Sequence, residues 1–255
     1  MNQNINKEPV VVSNLLSDDE LSKIYMAIGT IFGINGIESY NSLVNAMEDL
    51  AKSDFSEYLK KIRASSRSIF IRNVLSIDKL IFLAEKFSIT KPVEFSSPVL
   101  HVSSSALQPH SKGVSPHQDW PSTLGSLNSV NIWISLGGST KNSGGLDFYC
   151  FDEHPVEVLP GTIEKDVVSL SPLQLEKYKK IYVYVSPGDA IIFGNFLPHS
   201  SSESSTRLSV SLRIEDAADD SWRARGYEYA QTTKIDRKVF SANELNKIND
   251  QLKKN

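Results

Sequence analysis

The sequence predicts a mainly β protein with flanking helices, its sheet folded as a sandwich, jelly roll or barrel. Three observations predict it. Up to about residue 89, apolar residues recur at helical spacing. Beyond that point, short β-like segments alternate with clusters of Gly, Pro, Ser and Asn. Residues 207–214 (Arg-Leu-Ser-Val-Ser-Leu-Arg-Ile) then alternate polar and apolar without exception, as a half-buried strand does. No composition break divides the chain. The expectation is one domain over 1–255, with a helical part at 1–95, a β core at 97–215 and a helical tail at 216–255. That length can bury a large core.

The elements follow in order. A polar lead-in ends in a short extended piece at 9–12. Ser17-Asp18-Asp19-Glu20 starts a helix, with a capping side chain followed by acids in the first turn. Leu21, Ile24, Tyr25, Ile28 and Ile31 continue it at helical spacing. Further helices are expected over 40–51, 55–66 and 77–87, their apolar stripes packing on a sheet. Strands are expected at 99–103, 129–136, 146–151, 181–185, 190–193 and 207–214. A last helix starts at Ser241 and carries Leu245, Ile248 and Leu252 on one stripe.

Composition narrows the class. Hydrophobic content of 40%, charge of 22% and a net charge of −3 are those of an ordinary globular protein and do not suggest a polyanion partner. The single cysteine, Cys150, excludes an internal disulfide and fits a reducing, cytoplasmic setting. No signal-peptide core and no apolar run long enough for a bilayer is present, so no membrane partner is expected.

The chemistry centres on His117-Gln118-Asp119. In a strand, residues two apart face the same side, so this imidazole and carboxylate can bind one metal. A third ligand must come from elsewhere, and His199 in Pro198-His199-Ser200 is the candidate. Two His and one carboxylate leave open positions opposite, the facial triad of non-haem Fe(II) oxygenases. A lone triplet of this kind also arises by chance, and most histidines are surface or hydrogen-bonded core residues. Arg207 has two readings as well. It is a solvated charge, or it lies in a barrel mouth and grips an anion with its planar fork, with Ser209 donating to the same carboxylate. Asp152, Glu153 and His154 are adjacent in sequence and read as a surface loop; His110 has no evident partner.

His117-Gln118-Asp119, His199 and Arg207-x-Ser209 occur in the order seen in Fe(II)/2-oxoglutarate dioxygenases. The chain resembles the phytanoyl-CoA dioxygenase family in particular. The similarity lies at His-Gln-Asp-Trp-Pro (117–121), Gly125-Ser126-x-Asn128-Ser129-Val130, Trp133-Ile134-x-Leu136, Asn142-x-Gly144-Gly145-Leu146, Pro187-Gly188-Asp189 and Leu197-x-His199-x-Ser201. It covers roughly 97–215. It implies a double-stranded β-helix, a cupin-like jelly roll, with Fe(II) held by His117, Asp119 and His199. It implies 2-oxoglutarate paired with Arg207, assisted by Ser209 and Ser201, with Trp133 and His101 beside it. A structural role on an inner strand is the alternative for His101. Gln118 and Trp120 are implied on the substrate side.

The activity implied is oxidation, chiefly hydroxylation, of a C–H bond in a small metabolite, consuming O2 and releasing succinate and CO2. An intact carboxylate at Asp119 disfavours halogenation. The family's Pro-Gly-Ser-His segment is replaced here by Cys150-Phe151-Asp152-Glu153-His154, which touches no ligand. Two other enzymes compete. A nucleic-acid dealkylating dioxygenase would share the triad and an Arg-x5-Arg pattern, met by Arg207 and Arg213, but the acidic net charge opposes it. A jelly-roll isomerase without 2-oxoglutarate would leave Arg207 without a role. A fold-only module would have no reason to keep all four residue types. Loops at 104–116, 137–145 and 152–180 are expected to shape the pocket; Lys112, Lys141, Arg223 and Arg225 read as solvated charge.

Overall fold

Helix starts in this chain are set by single side chains. Ser17, Ser39, Asp54, Ser68 and Ser76 each accept the backbone N–H three residues on, relieving a donor that has no partner within the helix. Ser17 and Glu20 complete a reciprocal capping box, and Lys79 binds the Glu20 carboxylate. The computed structural model describes residues 4–253 except 38, 95–97, 104–112, 124, 139–144, 165–166, 202–206, 220–248 and 251. The order is β1 (Val10–Val12), α1 (Asp18–Phe32), α2 (Tyr40–Ser53), α3 (Phe55–Ser66), α4 (Ile69–Arg72), α5 (Ile77–Lys86), β2 (Pro92–Glu94) and β3 (Val99–Ser103). Then come α6 (Trp120–Thr123), β4 (Ser129–Gly137), β5 (Leu146–Cys150), β6 (Thr162–Glu164), β7 (Val167–Ser169) and α7 (Pro172–Leu175). The last strands are β8 (Lys179–Val183), β9 (Ala190–Gly194), β10 (His199–Ser201) and β11 (Arg207–Asp216).

All strand pairs are antiparallel. One sheet runs β1-β9-β4-β11-β2, with β3 also on β11; the other runs β10-β5-β8, and β6 pairs β7. Alternation along the strands sorts the side chains into two cores. Val130, Ile132, Ile134 and Leu136 of β4 and Leu208, Val210, Leu212 and Ile214 of β11 pack with Leu21, Ile24, Ile28, Leu43, Met47 and Leu83 of the helices. The opposite faces contribute Trp133, Ile191 and Phe193, which meet Leu146, Phe148 and Cys150 of the second sheet. Helices thus cover one face of the larger sheet, and the two sheets enclose an interior. This is a double-stranded β-helix with flanking helices, as expected.

The expected strands and long helices are present, most within a residue or two. The strand expected at 181–185 sits at Lys179–Val183, because β5 sets its register through Leu146 opposite Val183. The pieces not foreseen (α4, α6, α7, β2, β6, β7, β10) have three or four residues, too few to show a period. Most of the helix expected from Ser241, the loops at 104–112 and 139–144, His110, Lys112, Lys141, Arg223 and Arg225 lie outside the described residues. Gly188 has φ 88°, and a Cβ there would lie 2.5 Å from the Leu16 carbonyl oxygen, which explains the glycine of Pro187-Gly188-Asp189.

Asp216 anchors the end of β11. Its carboxylate accepts the backbone N–H groups of Thr90 (2.8 Å), Lys91 (2.9 Å) and Ala218 (2.9 Å) and the Thr90 hydroxyl. Burial pushes its pKa up, but the N–H groups of Thr90, Ala218 and Lys91 outweigh it and the net shift is downward. A depressed carboxylate stabilises the fold at neutral pH and loses that contribution as pH falls. Asp216→Ala is expected to lose about 3 kcal/mol in urea unfolding at pH 7. The gap to wild type should close as pH drops below the ordinary value of 3.8.

Candidate metal centre

The site begins with a backbone pairing. His117 N–H donates to the His199 carbonyl and His199 N–H to the His117 carbonyl, each at 2.9 Å. In an antiparallel pair of this kind the two side chains leave from the same face. The imidazole centroids lie 4.3 Å apart. Asp119, two residues on, joins them, with its Oδ1 3.4 Å from His117 Nε2. One ligand atom from each of His117, Asp119 and His199 falls within 4.8 Å of the others, and no second such group occurs among the described residues. Asp152 and Glu153 are exposed, and the His154 ring rests edge-on against Tyr178, 5.4 Å between centroids.

Both rings are held in one tautomer. His117 Nδ1 lies 2.8 Å from the Ser115 carbonyl and His199 Nδ1 3.0 Å from the Leu197 carbonyl. A carbonyl only accepts, so each Nδ1 carries the hydrogen, which leaves Nε2 of each ring as the nitrogen available to a metal. Burial, then the neighbouring His117, push the His199 pKa down to about 4. Burial raises that of Asp119, but the Arg213 guanidinium and the two histidines hold it well below the carboxylate range. At neutral pH His199 is neutral and Asp119 ionised, the forms that bind metal. The surroundings of His199 are aromatic, with Phe193 at 4.6 Å and Phe148 at 6.1 Å between centroids.

Arg213 Nη2 donates to Asp119 Oδ2 at 2.9 Å. This residue appeared in the sequence only as the second arginine of Arg-x5-Arg. The signal for its placement was the alternation of residues 207–214, which puts Arg213 on the face shared by Arg207 and Ser209.

The remaining candidates divide. Arg207 is buried in the interior, with Nη1 2.7 Å from the Gly145 carbonyl and its guanidinium 5.4 Å from the centre of the Trp133 ring. Ser209 is fully buried, in register with His101 of β3 and Ser135 of β4. His101 Nε2 pairs with Ser211 Oγ at 3.0 Å; burial, then Arg213 and Arg207, depress its pKa to about 4, so it is neutral. Ser201 Oγ accepts the Val114 N–H at 2.8 Å and so ties β10 to the segment leading into His117.

Gln118 and Trp120, expected on the substrate side, are engaged elsewhere: no strand runs through 117–120, and Trp120 opens α6. Gln118 donates to the carbonyls of Glu157 (2.8 Å) and Phe196 (2.5 Å) and accepts from Leu159 N–H (2.8 Å). Trp120 is fully buried and stacks on Phe196, with 5.5 Å between centroids. Both serve packing behind the centre.

The polar wall on β3, β4 and β11 is incompletely bonded. The hydroxyl oxygens of Ser103, Ser135 and Ser209 and the Nε of Arg213 are buried without a hydrogen-bond partner among the described residues. Buried polar atoms are normally satisfied, so this wall is suited to a polar ligand or water beside Arg207.

No family model matches the sequence, and no curated protein matches it. Solved structures do. The non-heme alpha ketoglutarate dependent epimerase SnoN from nogalamycin biosynthesis superposes with a TM-score of 0.56 at 15% identity, over 83% of this chain and 80% of that one. Its complex with Fe3+, alpha ketoglutarate and nogalamycin RO gives the same values. EctD from S. alaskensis, solved with 2-oxoglutarate and 5-hydroxyectoine, gives 0.52 at 11% identity, over 84% of this chain and 74% of that one. At these identities the likeness establishes the shared fold.

Gln118→Ala strands two carbonyls and one N–H in the interior. It is expected to lower the unfolding free energy by about 3 kcal/mol, read by urea denaturation. A variant as stable as wild type would return Gln118 to the pocket.

Proposed function

We propose that this chain is an Fe(II)- and 2-oxoglutarate-dependent dioxygenase that hydroxylates a C–H bond of a small metabolite. The observation that carries this is the grouping of one ligand atom each from His117, Asp119 and His199 within 4.8 Å of one another, with both Nδ1 atoms facing carbonyls. Two imidazoles and one carboxylate are the donor set non-haem iron takes. The orphaned polar atoms beside Arg207 fit a dicarboxylate co-substrate in the same interior.

His117, Asp119 and His199 would hold the iron. With 2-oxoglutarate and O2, that centre supplies the oxidising power for C–H cleavage, with release of succinate and CO2. The protein's part is positioning and exclusion of water. Arg207 offers a planar fork for the distal carboxylate, backed by the Trp133 face, and Ser209 adds a hydroxyl on the same strand face. Neutral His101 lines that wall without adding charge. Ser201 contributes by keeping β10 and the approach to His117 together. Phe148, Phe193 and Trp133 keep the interior dry around the reacting bond.

The folds of SnoN and EctD, solved with alpha ketoglutarate or 2-oxoglutarate, support the same co-substrate here. The buried Arg207 favours this reading over an isomerase without 2-oxoglutarate, which would leave that residue without a role. A small-molecule substrate fits the net charge of −3, and among the described residues no helix is long and apolar enough to cross a membrane.

Anaerobic Fe(II) titration with and without 2-oxoglutarate tests this through the visible metal-to-ligand charge-transfer band. Wild type should develop the band. Asp119→Ala should abolish it, and Arg207→Ala should weaken 2-oxoglutarate binding by about 10- to 100-fold while keeping iron. Iron binding without any band would favour a metal-dependent isomerase that does not use 2-oxoglutarate.

A further inference from the structure

We propose that Arg213 is a positioning residue that makes Asp119 a one-oxygen ligand, an inference that rests on the function proposed above. The two carboxylate oxygens of Asp119 have different surroundings. Oδ2 is held by Arg213 Nη2 at 2.9 Å, while Oδ1 faces His117 Nε2 at 3.4 Å. Both partners are largely enclosed, with side-chain exposures of 22% for Arg213 and 10% for Asp119. Such a charge-assisted bond is directional and is screened little by solvent.

Arg213 is itself well placed to be rigid. It lies on β11, in register with Asn131 of the central strand β4. Asn131 is fixed by Asn195, to which its Nδ2 donates at 2.7 Å, and Asn195 accepts the Trp120 N–H at 3.0 Å through its carbonyl. One network therefore spans the larger sheet and the segment that carries Asp119.

The consequence concerns open positions on the metal. A carboxylate with both oxygens free can chelate, filling one position more than a single-oxygen ligand does. A chelating 2-oxoglutarate and O2 together need every position opposite the triad. Holding Oδ2 away from the metal keeps them available. Removing Arg213 would leave a buried carboxylate whose best remaining partner is the metal itself.

The test uses the full chain loaded with Co(II), whose d–d absorption reports coordination, and titrates 2-oxoglutarate into wild type, Arg213→Met and Arg213→Lys. Arg213→Met is expected to alter the Co(II) spectrum and weaken 2-oxoglutarate binding by about tenfold or more, with Arg213→Lys recovering most of both. A Met variant with wild-type spectrum and affinity overturns the positioning role and leaves the functional proposal intact. A wild type that binds no Co(II), or binds it without responding to 2-oxoglutarate, overturns the functional proposal and the positioning role with it. If Arg213→Met does not fold, Arg213→Gln, which keeps a donor without the charge, carries the same comparison.

Discussion

Two backbone hydrogen bonds, exchanged between His117 and His199, are the constraint on which the site depends. They join residues 82 positions apart and place two imidazoles on one face. Their neighbours hold the same alignment. Ser201 and Val114 bond reciprocally on one side, Leu170 N–H reaches the Pro116 carbonyl at 2.7 Å, and the Gln118 amide fastens the 157–159 segment behind. These bonds fix the three side chains relative to one another although His117 and Asp119 lie outside any strand.

The interior is then divided by β11. Its apolar face belongs to the helix-covered core and its polar face to the enclosed space. The helical part therefore bears on the site indirectly. It buries the outer face of the larger sheet, while the pairing of β11 with β4 sets where Arg207, Ser209, Ser211 and Arg213 stand inside.

Buried charge has a cost that this arrangement meets in specific ways. Arg207, Arg213 and Asp119 are all partly or fully withdrawn from water. Arg213 and Asp119 offset one another directly, whereas Arg207 rests on a carbonyl and an aromatic face. Burial keeps His101 and His199 neutral, so the interior does not accumulate further positive charge. The unsatisfied hydroxyls near Arg207 are the kind of local inconsistency expected at a functional site.

By itself the sequence determined the elements whose period is long enough to read: the capped helices, the alternating strand at residues 207–214 and the β-rich middle. It also singled out His117, Asp119, His199 and Arg207, because residue types and their order along the chain can be read without the fold. What only the tertiary structure decided is which side chains meet. The pairing of His117 with His199, the grip of Arg213 on Asp119 and the short strand β10 come from contacts far apart in sequence, on which local periodicity is silent. Gln118 and Trp120 show the same limit. Adjacency to His117 and Asp119 suggested the pocket, but distant backbone carbonyls and Phe196 receive them instead.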